Sequence, residues 1–216
     1  LIRDAIDHQD KYSLARKTEA ESVILKSRFL LNRVVKNQGL NKQIFSLTGR
    51  TKLKSTEAYQ DPAFHIITVN NEDSILYNEQ IEFTIHPVSS NQFELSSKSE
   101  KKSIIYINDT FNIGSVELQL KTTDNYDEHW LNYKYKVVVT PVDRVVSELQ
   151  QQISINDEKQ EVGVLIISLN GPTPKRNDDI INGLIQEYQS NSIYEKNRVT
   201  ISTNEFKGGL KFMLDG

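Results

Sequence analysis

Two hydrophobic rhythms alternate along this chain. Between Ser13 and Gln38 apolar residues recur at helical spacing, and from Leu40 to Val139 they alternate every second residue. After Pro141 the helical spacing returns. The most strongly patterned stretch is ESVILKSRFLLNRVV, Glu21 to Val35. With Ser13 as N-cap and Gly39 ending it in the left-handed conformation, the pattern predicts one helix of roughly seven turns. Rotating each residue by about 100° puts Ala20, Val23, Ile24, Ser27, Leu30, Leu31, Val34 and Val35 on one stripe. Glu21 and Arg28 lie at its edge, and Lys26 and Arg33 point away. Ser27, the only hydroxyl in the stripe, either admits a close neighbour or bonds back to the helix. Leu25 and Phe29 fall outside the stripe. They form a second apolar patch, which is either a candidate protomer interface or a surface covered by the β-rich region.

The middle of the chain has the texture of short strands: Gln43–Thr48, Phe64–Val69, Gln80–Ile85, Gln92–Ser96, Ser103–Ile107, Ser115–Thr122 and Leu131–Thr140. Turn signals at Asn70-Asn71, Asn78-Glu79, Ser89-Ser90-Asn91 and Asn112-Ile113-Gly114 separate them. One-sided alternation, as in Ile81-Phe83-Ile85, with short strands at this spacing, predicts a small sandwich-like or barrel-like β insertion. Beyond Pro141, the residues Val142, Val145, Val146 and Leu149 share a helical face, with Asp143 in the first turn. The nearly continuous apolar run Glu161–Leu169 predicts a central strand buried on both faces. Thr173 and Pro174 are placed to cap and open a helix carrying Ile181, Leu184, Ile185 and Tyr188 to about Lys196. A last strand is expected around Val199 and Ile201. The expectation is an α+β fold, helices packed on a mixed sheet with a β-rich insertion. Residues 1–41 and 139–206 would form one domain, 42–138 the insertion, and 207–216 an unassigned tail.

Composition narrows the function classes. A net charge of −3 argues against a dominant nucleic-acid surface, and the basic run Lys98–Lys102 suits a solvated loop. With no cysteine, disulfides and thiolate metal sites are excluded. No apolar run approaches the roughly 20 residues of a membrane helix. The chain opens at Leu1 without a methionine, so it is expected to be part of something larger. Neither G-x-x-x-x-G-K-[ST] nor G-x-G-x-x-G occurs. His8, His65, His86 and His129 form no metal-binding spacing, and Asp124, Asp127 and Glu128 lack the glycine and alternating ligands of a calcium loop. Asp178-Asp179 suits a helix dipole. No catalytic constellation, cofactor or metal site is expected in this segment. Trp130 with Tyr126, Tyr133 and Tyr135 is either strand packing or a stacking platform for a sugar.

The stretch ESVILKSRFLLNRVVKNQGL resembles the first helix of Wzz-type chain-length determinant domains, through Glu21, Ile24, Leu25, Lys26, Ser27, Arg28, Val34, Val35 and Leu40. DRVVSELQQQISIN is similar to the next helix of that family. The segment from Glu161 to Thr203 resembles its strand, proline turn and following helix, with Asn182 and Tyr188 at matching positions. The resemblance covers roughly Ala20–Asn41 and Val139–Thr203, and the long β insertion is like that of the Wzc-like tyrosine autokinase branch. It implies a periplasmic domain between two inner-membrane helices. Such domains form homo-oligomeric rings and set the length of capsular polysaccharide or exopolysaccharide, in partnership with a polymerase and an outer-membrane export protein. In the kinase branch a cytoplasmic P-loop domain follows. The ending KGGLKFMLDG departs from the long helix expected after Phe206. The other functions in view are a non-catalytic carbohydrate-binding or adhesion module, with glycan contact at Trp130 and the nearby tyrosines, and a secreted hydrolase.

Overall fold

The computed structural model describes residues 2–48, 54–69, 79–97, 102–157 and 164–214, with the side chains of 2–12, 14, 54, 128, 157 and 195–214 outside that description. The turn at Asn70-Asn71, Asn78, most of the basic run (98–101) and the start of the apolar run (161–163) lie outside the described residues.

The chain is an α+β protein. Two helices, α1 (Ile2–Leu25) and α2 (Arg28–Gln38), precede nine strands. These are β1 (Lys42–Thr48), β2 (Lys54–Glu57), β3 (Phe64–Thr68), β4 (Ile81–Pro87), β5 (Gln92–Ser97), β6 (Ser103–Tyr106), β7 (Thr110–Ile113), β8 (Val116–Thr122) and β9 (Lys134–Val139). Helix α3 (Val142–Gln152), the hairpin of β10 (Ile153–Asp157) and β11 (Leu165–Leu169), and helix α4 (Pro174–Leu214) follow.

The strand-rich part is a sandwich. One sheet has the order β2-β1-β9-β4-β5-β6 and the other β3-β8-β7. Alternation explains how each strand faces. In β4, Phe83, Ile85 and Pro87 are buried while the residues between them are less so, and in β8 the buried set is Val116, Leu118 and Leu120. Aromatic rings join the sheets: Phe64 of β3 meets Tyr135 of β9 edge-on at 5.2 Å and Phe93 of β5 at 6.2 Å. Phe83 of β4 meets Phe111 of β7 at 5.9 Å. Full burial of each such ring is worth about 1.5–3 kcal/mol.

The second core is aliphatic. Leu25, Leu30, Leu31, Val34 and Val35 pack with Val142, Val145, Val146 and Leu149 of α3 and with Ile180 and Leu184 of α4. A Cβ on Gly183 of α4 would meet the Gln38 carboxamide, which reaches from α2 to the Asp179 carbonyl. The β10–β11 hairpin needs this helical cover, since an isolated two-stranded ribbon is marginal in water. Leu165, Ile167 and Leu169 pack against the helical core while Ile166 is exposed.

Several expectations are corrected. Every strand pairing among the described residues is antiparallel, so no mixed sheet is formed there. Among the described residues β11 pairs with β10 alone, and it is half-buried; it is not a central strand. Ser13 lies inside α1, which begins at Ile2, so it is not the start of the helix. Val199 and Ile201 continue α4, which runs through the residues expected to form a strand and through the tail to Leu214. Their β-branching costs a helix well under 1 kcal/mol each, too little to end it. Leu131 belongs to a 3-10 turn, Glu128–Asn132, opened by Asp127, whose side chain accepts from the His129 amide. On α4 the expected Leu184 is buried and Tyr188 packs partly buried against the same core, but Ile180 completes this face and Ile185 is exposed. Among the described residues, no helix is long and apolar enough to cross a membrane.

Candidate functional site

The stretch expected to be one helix is two. The Ser27 amide donates to the Ile24 carbonyl at 3.0 Å, which tightens the end of α1. Ser27 itself is extended, with φ −64° and ψ 142°, and its hydroxyl accepts from the Leu30 amide at 3.4 Å. It is the N-cap of α2, a role for which serine is among the best residues. At the other end Gly39 takes the expected left-handed conformation, with φ 61°.

This break resets the helical phase. Leu25, placed outside the stripe by an unbroken wheel, is 5% exposed and belongs to the core. Val23 and Ile24, placed inside it, are 68% and 42% exposed. Leu25 is therefore unavailable to a neighbouring protomer. Phe29 is 58% exposed and remains the accessible member of the expected pair, with the Arg33 guanidinium 5.7 Å from its ring centre.

The polar members of the motif tie this break to α3. Arg28 donates to Asp143 at 2.9 Å and to the Ser147 hydroxyl at 3.0 Å. The Gln150 side chain donates to the Lys26 carbonyl at 2.9 Å, satisfying an acceptor near the break. Arg28 and Asp143 are both exposed, so their ion pair contributes only about 0.2–1 kcal/mol. The Lys26–Arg28 segment thus positions helices. Glu21, at the half-buried edge, and Ile24 sit on the α1 side of the break.

A second feature has no signature in the local sequence pattern. Where the sandwich meets the helical unit there is a cleft of about 740 Å³. Its interior is held by a linked polar set. Glu57 of β2 pairs with Arg176 of α4, and both are mostly buried, at 9% and 15% exposure. Thr173 stands just before Pro174 opens α4, as expected, and its carbonyl accepts from the Asn177 amide at 3.1 Å; its hydroxyl reaches across to donate to Glu57 of β2 at 2.7 Å. Arg176 donates to the Leu40 carbonyl at 2.8 Å. The Tyr59 hydroxyl donates to Asp179 at 3.1 Å, and Lys175 donates to the same carboxylate at 2.6 Å. Burial, followed by the bond to Asp179, pushes the Tyr59 hydroxyl up to about 12. The bond from Lys175 holds the Asp179 carboxyl below its ordinary value. Asp179, expected only to suit the helix dipole, is thus a cross-unit tie. No local spacing signals it, because its partner Tyr59 lies 120 positions away.

The aromatic group near Trp130 is mostly packing. Tyr135 is fully buried, and burial pushes its hydroxyl well above the usual tyrosine range. Tyr126 packs on Phe93 and donates to the Ser89 carbonyl at 3.2 Å. Trp130 donates to the Asn125 carbonyl at 2.7 Å and packs on Tyr135. Tyr133 alone is more exposed, at 39%. The histidines are dispersed: His65 is exposed on β3, His86 bonds the Tyr133 carbonyl, and His129 lies beside Asp127. Among the described residues no group of three or more His, Cys, Asp or Glu could hold a metal ion.

No family model and no curated protein matches the chain. Among solved structures, two crystal forms of FlgL from Xanthomonas campestris are similar to it in part. One is 7% identical, with a TM-score of 0.24, over 68% of this chain and 41% of that one. The other is 10% identical, with a TM-score of 0.24, over 76% of this chain and 53% of that one. The chain thus spans about half or less of either FlgL chain, and a likeness this slight carries no argument about fold or role.

Proposed function

We propose that this chain is the periplasmic part of an inner-membrane polysaccharide co-polymerase. It assembles with copies of itself and thereby regulates the length and export of a capsular polysaccharide or exopolysaccharide. The partners are a polysaccharide polymerase and an outer-membrane export protein, and the role of this segment is non-catalytic. A cytoplasmic tyrosine kinase domain elsewhere in the full-length protein would be consistent with the Wzc-like resemblance.

The observation that carries this reading is the state of Phe29. It lies in the first turn of α2, within the motif that resembles the chain-length determinants; its neighbour Arg28 is fixed to α3, and its own ring stays 58% exposed. Val23 and Ile24 leave further apolar surface exposed just before the break. Aromatic side chains held on a rigid element are good anchors for association. The test is Phe29→Asp in the full-length, membrane-embedded protein. Cross-linked oligomers should disappear, polymer length should change, and the thermal transition of the protein should stay where it was. Intact oligomers in that variant would overturn the proposal.

A further inference from the structure

We infer that the cleft between the sandwich and the helical unit binds a short stretch of hydroxyl-rich saccharide. This inference rests on the proposed function and names where the chain would touch its polymer. The cleft's volume of about 740 Å³ falls within the usual range of ligand clefts, about 300–1,000 Å³. Its lining separates into two parts. The inner part is already bonded within the protein: Glu57 to Arg176, Lys175 to Asp179, Tyr59 to Asp179, and Gln38 to the Asp179 carbonyl at 2.8 Å. These bonds set the walls before any ligand arrives, so little ordering remains to be done on binding. The Tyr59 ring is held by Asp179 at its hydroxyl and has the Arg176 guanidinium over its face, 5.9 Å from its centre.

The outer part is different. Gln60, Asp61 and His65 line the cleft and are exposed. Their side chains have no hydrogen bond or ion pair with the described residues. A carboxamide, a carboxylate and an imidazole offer both donors and acceptors, which matches hydroxyls that do both. The chemistry disfavours other occupants. Of the four lining cations, Arg176 and Lys175 are matched by Glu57 and Asp179, and Lys36 and Lys42 have partners of their own, so a phosphate would have to break existing contacts. An apolar peptide or lipid would need an apolar floor, yet Leu40, Ile44 and Ile66 of the lining are buried in the protein's own cores.

The experiment is an amide NMR titration of the 216-residue chain with two probes, neutral maltohexaose and acidic hexagalacturonate. Saturable shifts confined to residues 58–66 and 175–179 are expected with at least one probe. Asp61→Ala, at an exposed position, should weaken that binding roughly tenfold without altering the rest of the spectrum, about the worth of one hydrogen bond to a charged group. No saturable shift in the cleft with either probe into the millimolar range, or shifts that Asp61→Ala leaves unchanged, would overturn the inference. The readout is independent of assembly. Loss of the cleft shifts bears on the cleft alone, and persistence of oligomers in Phe29→Asp bears on the proposed function alone.

Discussion

The sandwich is packed around rings, and the helical unit around branched aliphatics. In the first, Phe64, Phe93 and Tyr135 are fully buried, and Phe64 stands edge-on to both of the others. In the second, Leu30, Leu31, Val35, Val146 and Leu184 are equally buried but contain no ring. Rings in edge-on contact are positioned by their neighbours' orientation as well as by volume, and such pairs add about 0.5–1.5 kcal/mol beyond burial. Aliphatic cores tolerate volume-conserving exchange more readily. The two regions also keep register differently. In the sandwich each strand is aligned by its pairing partner, so an error in one turn does not propagate. In the helical unit the facing of each residue follows from an unbroken backbone, and one extended residue at Ser27 changes everything after it.

The contrast can be broken first at Phe64. Phe64→Ala should cost about 3–5 kcal/mol in urea unfolding, while the volume-conserving Leu31→Met should cost less than about 1.5 kcal/mol. Equal losses would mean that ring geometry confers no special constraint on the sandwich. Glu57→Gln tests the tie between the regions. It leaves the Arg176 guanidinium mostly buried without its counter-charge, and a loss on the order of 3 kcal/mol is expected by the same measurement. A change below 0.5 kcal/mol, roughly what an exposed pair would give, would show that the pair does not join the units. The smallest effect belongs to Ser27→Ala, about 0.5–2 kcal/mol, and its long 3.4 Å bond to Leu30 favours the lower half of that range. A stabilised Ser27→Ala protein would mean that α1 and α2 prefer to be continuous.

What was legible follows the same contrast. The strands of the sandwich were visible because period two needs only local pattern, as in Val116-Leu118-Leu120, which is buried as alternation requires. The polar edge strand β2 (KSTE) was not visible, because it is held by pairing to β1 and carries no apolar face. Gly39 and the α3 face were legible from capping and spacing. The break at Ser27 was not, because a serine inside a strong helical pattern can bond back as easily as it can cap. Leu25 was assigned to the wrong surface for that reason alone. The cleft was invisible from spacing, since Glu57, Tyr59, Arg176 and Asp179 converge only through the tertiary fold.

The most direct measurement uses the absence of native cysteine from this chain. Phe29→Cys and Leu25→Cys are placed separately in the full-length protein, with any cysteines outside this segment replaced, and maleimide labelling rates are compared in the membrane and after detergent dissociation. Phe29→Cys should be protected in the assembled protein and label rapidly once copies separate. Leu25→Cys should stay protected in both until the chain unfolds. Equal labelling of Phe29→Cys in the two states, or rapid labelling of Leu25→Cys in the folded protein, would contradict the assignment of these two residues.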